Sequence, residues 1–174
     1  MSYTPPSVMV PGAGSVRVCV ASTPDEIAQG LMGVRSLPVG VGMLFAFPNA
    51  TSGAFWMKDT PLPLDIIFID AMWRVVSVRQ GVPMSQRSIE PGGPYRFVLE
   101  VPRGWAEAHR VSRGTAPALE CRKKRPVRCT PLYTSCQKFC PIRGSPILSF
   151  RRKPESSLVN MFWTPAFAGV MGHE

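Results

Sequence analysis

The sequence lacks several features that usually identify membrane proteins and enzymes. No apolar run approaches the roughly 18 to 20 residues needed to span a bilayer. The longest candidate, residues 62–72, contains Asp65 and Asp70. The 174 residues include 2 histidines, His109 and His173, and neither a Gly-x-Ser-x-Gly motif nor a glycine-rich phosphate loop. The sequence therefore predicts no membrane span and no cofactor, and it favours a protein that is not an enzyme.

Acidic residues are also scarce, since 11 Asp and Glu stand against 20 Lys and Arg, for a net charge of +9. The excess is concentrated at the carboxyl end. Up to Pro117 ten basic residues oppose eight acidic ones, whereas the remaining 57 residues hold ten basic and three acidic ones. A nearly neutral region has no extended basic footprint for a phosphate backbone. We therefore expect no specific nucleic-acid partner.

Proline and glycine, by contrast, are abundant, with 19 and 15 residues. This content argues against a helical bundle and favours short strands joined by turns. Alternating or continuous apolar residues predict strands over 16–20, 42–47, 54–57, 64–69, 74–78 and 97–101.

Two short helices are predicted between these strands. Thr23 can cap a helix that starts at Pro24, with Glu26 completing a capping box and Gly30 ending the helix. A second helix is expected from Gly104 onward.

The periodic pattern ends near Pro117, beyond which a basic run and repeated prolines leave no stretch able to bury a face. We therefore predict three parts: an extension over 1–14, a single mainly β domain over 15–116 and a disordered basic tail over 117–174. The domain is expected to be a small β-sandwich or barrel with one or two short helices.

Several blocks occur together in an informative order. They are Gly30-Leu-Met32, Gly42-Met-Leu-Phe45, Phe55-Trp-Met-Lys58, Leu64-Asp-Ile-Ile-Phe68 and Val98-Leu-Glu100. Over roughly residues 16–114 this succession resembles domain of unknown function 192, a bacterial and archaeal family. The resemblance implies a compact, mainly β domain without a settled activity, in proteins that are often exported to the periplasm. The chain as written starts without a signal peptide, so either its start is misplaced or this member stays in the cytoplasm.

The chain departs from the family pattern in three places. Asp59 stands where the family usually has Asn, and Ala71-Met-Trp73 replaces an acidic or glycine turn. After Gly114 the pattern of a final strand is lost, and Pro117 would obstruct a central strand. We interpret the chain beyond about residue 115 as an unrelated segment, produced by a frameshift or derived from a repeat.

A polar cluster around one tryptophan is the candidate ligand site. In an extended segment Trp56 and Lys58 share a face, so that the indole ring could stack on a sugar or another polar metabolite while charged groups hold it. The purely structural alternative is that Asp65 pairs with Lys58 or caps the turn at 61–63. The candidate binding residues are Arg35, Trp56, Lys58, Asp59, Thr60 and Asp65.

We therefore expect a small-ligand-binding or accessory module, and two alternatives from other classes stay open. The first is an enzyme of unknown reaction that uses Asp65 or Glu100 as its acid or base. The second is a zinc-dependent nucleic-acid contact through four tail cysteines, although their spacing lacks the usual two-residue knuckles. These cysteines are Cys121, Cys129, Cys136 and Cys140.

Overall fold

The structure is a computed structural model of the chain, and it describes residues 6–12 and 14–120. Seven strands and two short helices lie within these residues. They are β1 (Ser7–Val10), β2 (Gly14–Ala21), α1 (Pro24–Gln29), β3 (Val41–Thr51), β4 (Leu64–Ile69), β5 (Val75–Gly81), β6 (Tyr95–Pro102), α2 (Trp105–Ala108) and β7 (Ala118–Glu120).

The strands form one sheet that curls into a half-barrel, in the order β5-β4-β6-β3-β2-β1-β7. β2 and β3 run parallel, whereas the other neighbouring pairs are antiparallel. Because parallel neighbours need a crossover connection, a long segment joins β2 to β3, and it contains α1. The predicted mainly β fold with short helices is confirmed.

Both faces of the sheet are buried, and each carries its own apolar cluster. The first core contains Ile67 and Ile69 of β4, and the second core contains Ile66 and Phe68 of the same strand. All six residues of β4 are consequently buried. A strand covered on both faces reads as a continuous apolar run instead of an alternating one, which explains the pattern of β4.

Helix α1 has the predicted capping box. The Thr23 hydroxyl accepts a hydrogen bond from the Glu26 backbone N–H at 3.3 Å, and the Glu26 carboxylate accepts one from the Thr23 backbone N–H at 3.1 Å. Gly30 follows with a φ of +45°, a conformation that favours glycine. These contacts are local, and for that reason the sequence pattern was sufficient to predict this helix.

The predicted strand over 54–57 is wrong. Phe55 pairs with Ile89 through two backbone hydrogen bonds, but this is an isolated bridge. The Met57 backbone N–H donates to the Ser85 carbonyl at 2.9 Å, and the next residues form a turn. The segment is therefore an extended loop held by a second loop. The segment resembles a strand in sequence because its apolar residue Met57 is buried in the second core.

Two strands of the sheet lie outside the residues 15–116 expected to form the domain, namely β1 and β7. β7 pairs with β1 at the edge, immediately after Pro117. At the opposite edge, Val75 of β5 exchanges backbone hydrogen bonds with Gly114 and Thr115. The segment 114–120 thus contacts both ends of the half-barrel. Pro117 is tolerated because it precedes a short edge strand instead of interrupting a central one.

The four tail cysteines and the predicted disordered tail, apart from 117–120, lie outside the described residues. Within the described part, helices α1 and α2 have six and four residues. Neither is long and apolar enough to cross a membrane.

Candidate ligand-binding cleft

A cleft of about 290 Å³ opens where the start of β4 meets the end of β6. Its position follows from strand register, because Leu64 is paired with Pro102. The residues just before β4 and the loop at 35–37 complete the lining. The apolar lining residues are Leu37, Leu62, Pro63, Leu64 and Pro102, and the polar ones are Arg35, Ser36 and Arg103.

Two guanidinium groups stand at this cleft, and both side chains are exposed. The backbone N–H of Arg103 donates to the Pro63 carbonyl at 3.1 Å, and its Nη2 donates to the Gly81 carbonyl at 3.0 Å. Arg103 is therefore oriented by the ends of β4 and β5. No acidic side chain is among the described residues that line the cleft. A guanidinium group without a carboxylate partner is suited to binding an oxyanion.

Glu100 lies on the same sheet face as the cleft wall. It is two residues from Pro102 on β6 and is paired with Ile66, two residues from Leu64 on β4. Successive side chains of a strand point to opposite faces, so the side chains of residues 100 and 102 project on one side. Burial raises the pKa of the Glu100 carboxyl from 4.5 to about 8. At neutral pH the side chain is consequently a protonated acid that can donate a hydrogen bond.

Arg35 is the candidate residue from the sequence that lies at the cleft. Its loop also approaches the turn that contains two other candidates, because the Gly33 backbone N–H donates to the Asp59 carbonyl at 2.8 Å. Thr60 is buried in that turn, and its hydroxyl donates to the Lys58 carbonyl at 3.1 Å. The loop before Arg35 and the turn at 57–60 are thus joined by a direct hydrogen bond.

Trp56 and Lys58 form an exposed pair beside this turn. The Lys58 Nζ lies 5.6 Å from the centroid of the indole ring, within the range of a cation–π contact. The pairing agrees with the expectation that these two side chains share a face. It also means that Lys58 occupies one side of the ring on which a sugar was expected to stack.

Asp65 lies apart from the other candidates, on the face of the first core. Its Oδ2 accepts a hydrogen bond from the backbone N–H of Ala106 at 2.9 Å, at the start of α2. Neither Lys58 nor the turn at 61–63 is this partner, so both structural alternatives for Asp65 were wrong. Since β4 and β6 pair Asp65 with Val101, Asp65 and Glu100 project to opposite faces of the sheet. These two acids cannot act as a catalytic pair.

Sequence reasoning missed Arg103 and the apolar walls, and it considered Glu100 only as an acid or base. Two features of the sequence could have indicated the cleft. Arg103 directly follows Pro102 at the end of β6, and Pro63 directly precedes β4. As to metals, no group of three His, Cys, Asp or Glu side chains comes together within residues 6–12 and 14–120.

A family comparison adds to this geometry. The model of the DUF192 family, described as "Uncharacterized ACR", matches residues 8–117. The chain belongs to the DUF192 family. The match confirms the resemblance seen in the sequence, and it extends as far as the residue before β7.

Crystal structures of two other proteins are similar to this fold. One, from Sinorhizobium meliloti 1021, is of a candidate transcription regulator. Its sequence is 33% identical to this chain and its TM-score is 0.61. The match covers 69% of this chain and 95% of the Sinorhizobium chain. Another is of a protein of unknown function from Novosphingobium aromaticivorans DSM 12444, with 32% identity and a TM-score of 0.60. The match covers 67% of this chain and 84% of that protein's chain. No curated protein matches the sequence.

The backbone of the turn beside Trp56 explains why Asp59 can stand where the DUF192 family usually has Asn. Asp59, which replaces the family's usual Asn, has a φ of +53°. Asn and Asp tolerate this left-handed conformation better than other residues with a side chain, because their short polar groups can bond locally. The substitution therefore preserves the backbone of the turn and adds one negative charge at its surface.

Proposed function

We propose that this DUF192 protein is a binding module for a small molecule that carries a carboxylate and an apolar body. The observation that supports this most directly is the pairing of two exposed guanidinium groups with apolar walls in a cleft of about 290 Å³. Ligand sites are commonly concave and mostly apolar, with a few polar groups that orient the ligand. The apolar body would contact Leu37 and Leu62, while Arg35 and Arg103 would hold the carboxylate.

The sequence predicted a polar metabolite as the ligand, and this proposal restricts it to a carboxylate with an apolar body. Arg35 is retained as a ligand contact, whereas Trp56 and Lys58 contact each other at a separate exposed surface. A carbohydrate at that surface would have only the uncovered side of the indole ring for stacking. An enzymatic role for Asp65 is disfavoured, because its buried carboxylate is engaged by the α2 backbone.

A nucleic-acid role, suggested by the description of the Sinorhizobium relative, has less support. The chain up to Pro117 has ten basic and eight acidic residues. Without a concentrated positive charge, the electrostatic contribution to binding a phosphate backbone is small.

The test is calorimetric titration of the full chain with hexanoate and benzoate, and with the neutral amides of the same acids. We expect the carboxylates to bind and the amides to bind at least about tenfold more weakly, because an amide cannot form a charged pair with a guanidinium group. Arg35→Gln should weaken carboxylate binding by a similar factor. Arg74→Gln, at an exposed arginine outside the cleft lining, is the matched control and should have no effect. Equal binding of acids and amides, or no loss in Arg35→Gln, would contradict the proposal.

A further inference from the structure

One wall of the cleft is an extended piece of chain. The segment 34–38 lies between two turns, at 31–33 and 39–40, and forms neither a helix nor a strand nor a turn itself. Leu37 precedes Pro38, and a residue before proline favours extended conformations. Three consecutive residues of this segment, 35–37, line the cleft.

The backbone of this wall is unpaired. The N–H and carbonyl groups of residues 35–37 make no hydrogen bond with any residue in the described part of the chain. In an extended segment these groups alternate in direction, so Ser36 presents its pair to one side while Arg35 and Leu37 present theirs to the other. Either edge of the segment therefore carries at least one free N–H and one free carbonyl. Such an edge can accept a second extended chain through backbone hydrogen bonds.

The side chains around this wall offer charge and apolar contact. The Arg103 Nη2 donates to the Gly81 carbonyl at 3.0 Å, which uses one of the five N–H donors of the guanidinium group. The Arg35 side chain makes no hydrogen bond or ion pair with the described residues. Leu37 and Leu62 are both half-buried in the lining of the same cleft. A ligand that has a carboxylate, an apolar side chain and backbone amide groups would contact all three kinds of group.

We propose that the cleft binds the carboxyl-terminal end of an extended peptide whose last side chain is apolar. The inference rests on the proposed function and names its ligand class. The terminal carboxylate pairs with the guanidinium groups of Arg35 and Arg103, and the last side chain contacts Leu37 and Leu62. The peptide backbone exchanges hydrogen bonds with the segment 35–37. A simple organic acid can make the first two contacts, whereas the third requires a peptide.

The combination of groups in the cleft favours a chain end over an internal peptide segment. A chain end carries its carboxylate and its last side chain on one α-carbon, which suits a cleft of about 290 Å³ where guanidinium and apolar groups meet. An internal apolar residue has only neutral amide groups beside its side chain and would leave both guanidinium groups without an anion. An internal acidic residue would carry its charge in place of the apolar side chain.

The experiment titrates the full chain by calorimetry with acetyl-glycyl-alanyl-leucine and with hexanoate. We expect the peptide to bind at least about fivefold more tightly than hexanoate, because it adds backbone hydrogen bonds. An analogue in which ester oxygens replace the alanyl and leucyl N–H groups keeps the carboxylate and the apolar side chain, and it should lose this gain. The carboxyl-terminal amide of the peptide should bind about tenfold more weakly than the acid.

Hydrogen exchange locates the backbone contact. Exchange of the amides at 35–37 should slow when the peptide saturates the full chain, and it should slow less with hexanoate. Ser36→Ala is the matched control, because it removes an exposed side chain that makes no hydrogen bond with the described residues and keeps the backbone N–H. This variant should bind the peptide as the wild type does. Circular dichroism checks that it is folded.

The outcomes separate the two proposals. If hexanoate binds and the ester analogue binds as tightly as the peptide, backbone pairing is overturned and the cleft stands as a site for small carboxylates. Unchanged exchange at 35–37 with saturating peptide, or loss of peptide binding in folded Ser36→Ala, overturns the pairing equally. If hexanoate, benzoate and the peptide all fail to bind, the proposed function fails, and the inference fails with it.

Discussion

Replacing Glu100 with glutamine should flatten the pH dependence of the free energy of unfolding. Burial raises the pKa of this carboxyl from 4.5 to about 8 in the folded protein, whereas the unfolded chain restores the ordinary value. Between these two values the unfolded state releases the proton and the folded state keeps it. The free energy of unfolding therefore falls as the pH rises through this interval, and the loss is complete once the pH exceeds the folded pKa.

The size of the effect follows from the same linkage. Within the interval one group changes the free energy of unfolding by about 1.4 kcal/mol per pH unit. Between about pH 5.5 and about pH 7.5 the wild type should lose about 3 kcal/mol more than Glu100→Gln. All other ionisable groups are common to both proteins, so their contributions cancel in the difference.

Urea denaturation followed by tryptophan fluorescence measures this difference. Both proteins are unfolded at several pH values, and the free energy of unfolding is extrapolated to water for each. The unfolding slope should be the same for the two proteins, which shows that glutamine does not alter the folded state. If the free energies of the two proteins change in parallel with pH, the carboxyl is not held in its neutral form and the reasoning fails.

Three further substitutions test individual contacts of the fold. Thr23→Ala removes the cap of α1 and should cost about 1 kcal/mol of stability. Asp65→Ala leaves the buried Ala106 N–H without its acceptor and should cost about 1 to 3 kcal/mol, while Asp65→Asn, which keeps an oxygen, should cost less. Gly42→Ala places a Cβ 2.6 Å from the backbone oxygen of Glu100 and should destabilise by roughly 1 to 3 kcal/mol, because a backbone oxygen between paired strands cannot move aside.

Each of these variants has a matched control measured by the same denaturation assay. Ser88→Ala and Glu90→Ala remove exposed side chains that make no hydrogen bond with the described residues, and they should change stability by less than about 0.5 kcal/mol. Gly93→Ala brings a Cβ within 3.1 Å of a Val76 methyl group, which can shift, and should cost less than Gly42→Ala. The cap is contradicted if Thr23→Ala is as stable as Ser88→Ala. The Asp65 hydrogen bond is contradicted if Asp65→Ala and Asp65→Asn lose the same stability. The close approach at Gly42 is contradicted if Gly42→Ala loses less stability than Gly93→Ala.

The predictions from sequence succeeded where the interactions are short in range. The capping box of α1 involves residues three apart, so its pattern is visible without knowledge of the rest of the fold. The continuous apolar run of β4 likewise reports burial on both faces. The segment 54–57 shows where this reasoning fails. Alternating burial there resembles a strand, but the backbone of Met57 bonds to a loop about thirty residues away in sequence.

The sequence by itself determined the mainly β fold, the short helices and the family, because these depend on local pattern and on the order of motifs. The tertiary structure decided which charged groups meet. Asp65 and Glu100 look equivalent as isolated acids within apolar strands. Because of the register between β4 and β6, the Asp65 carboxylate accepts a hydrogen bond from the backbone of α2, whereas the Glu100 side chain lies on the face that carries the cleft. Strand register joins residues far apart in the chain, and the electrostatics of a carboxyl depends on the neighbours that register provides.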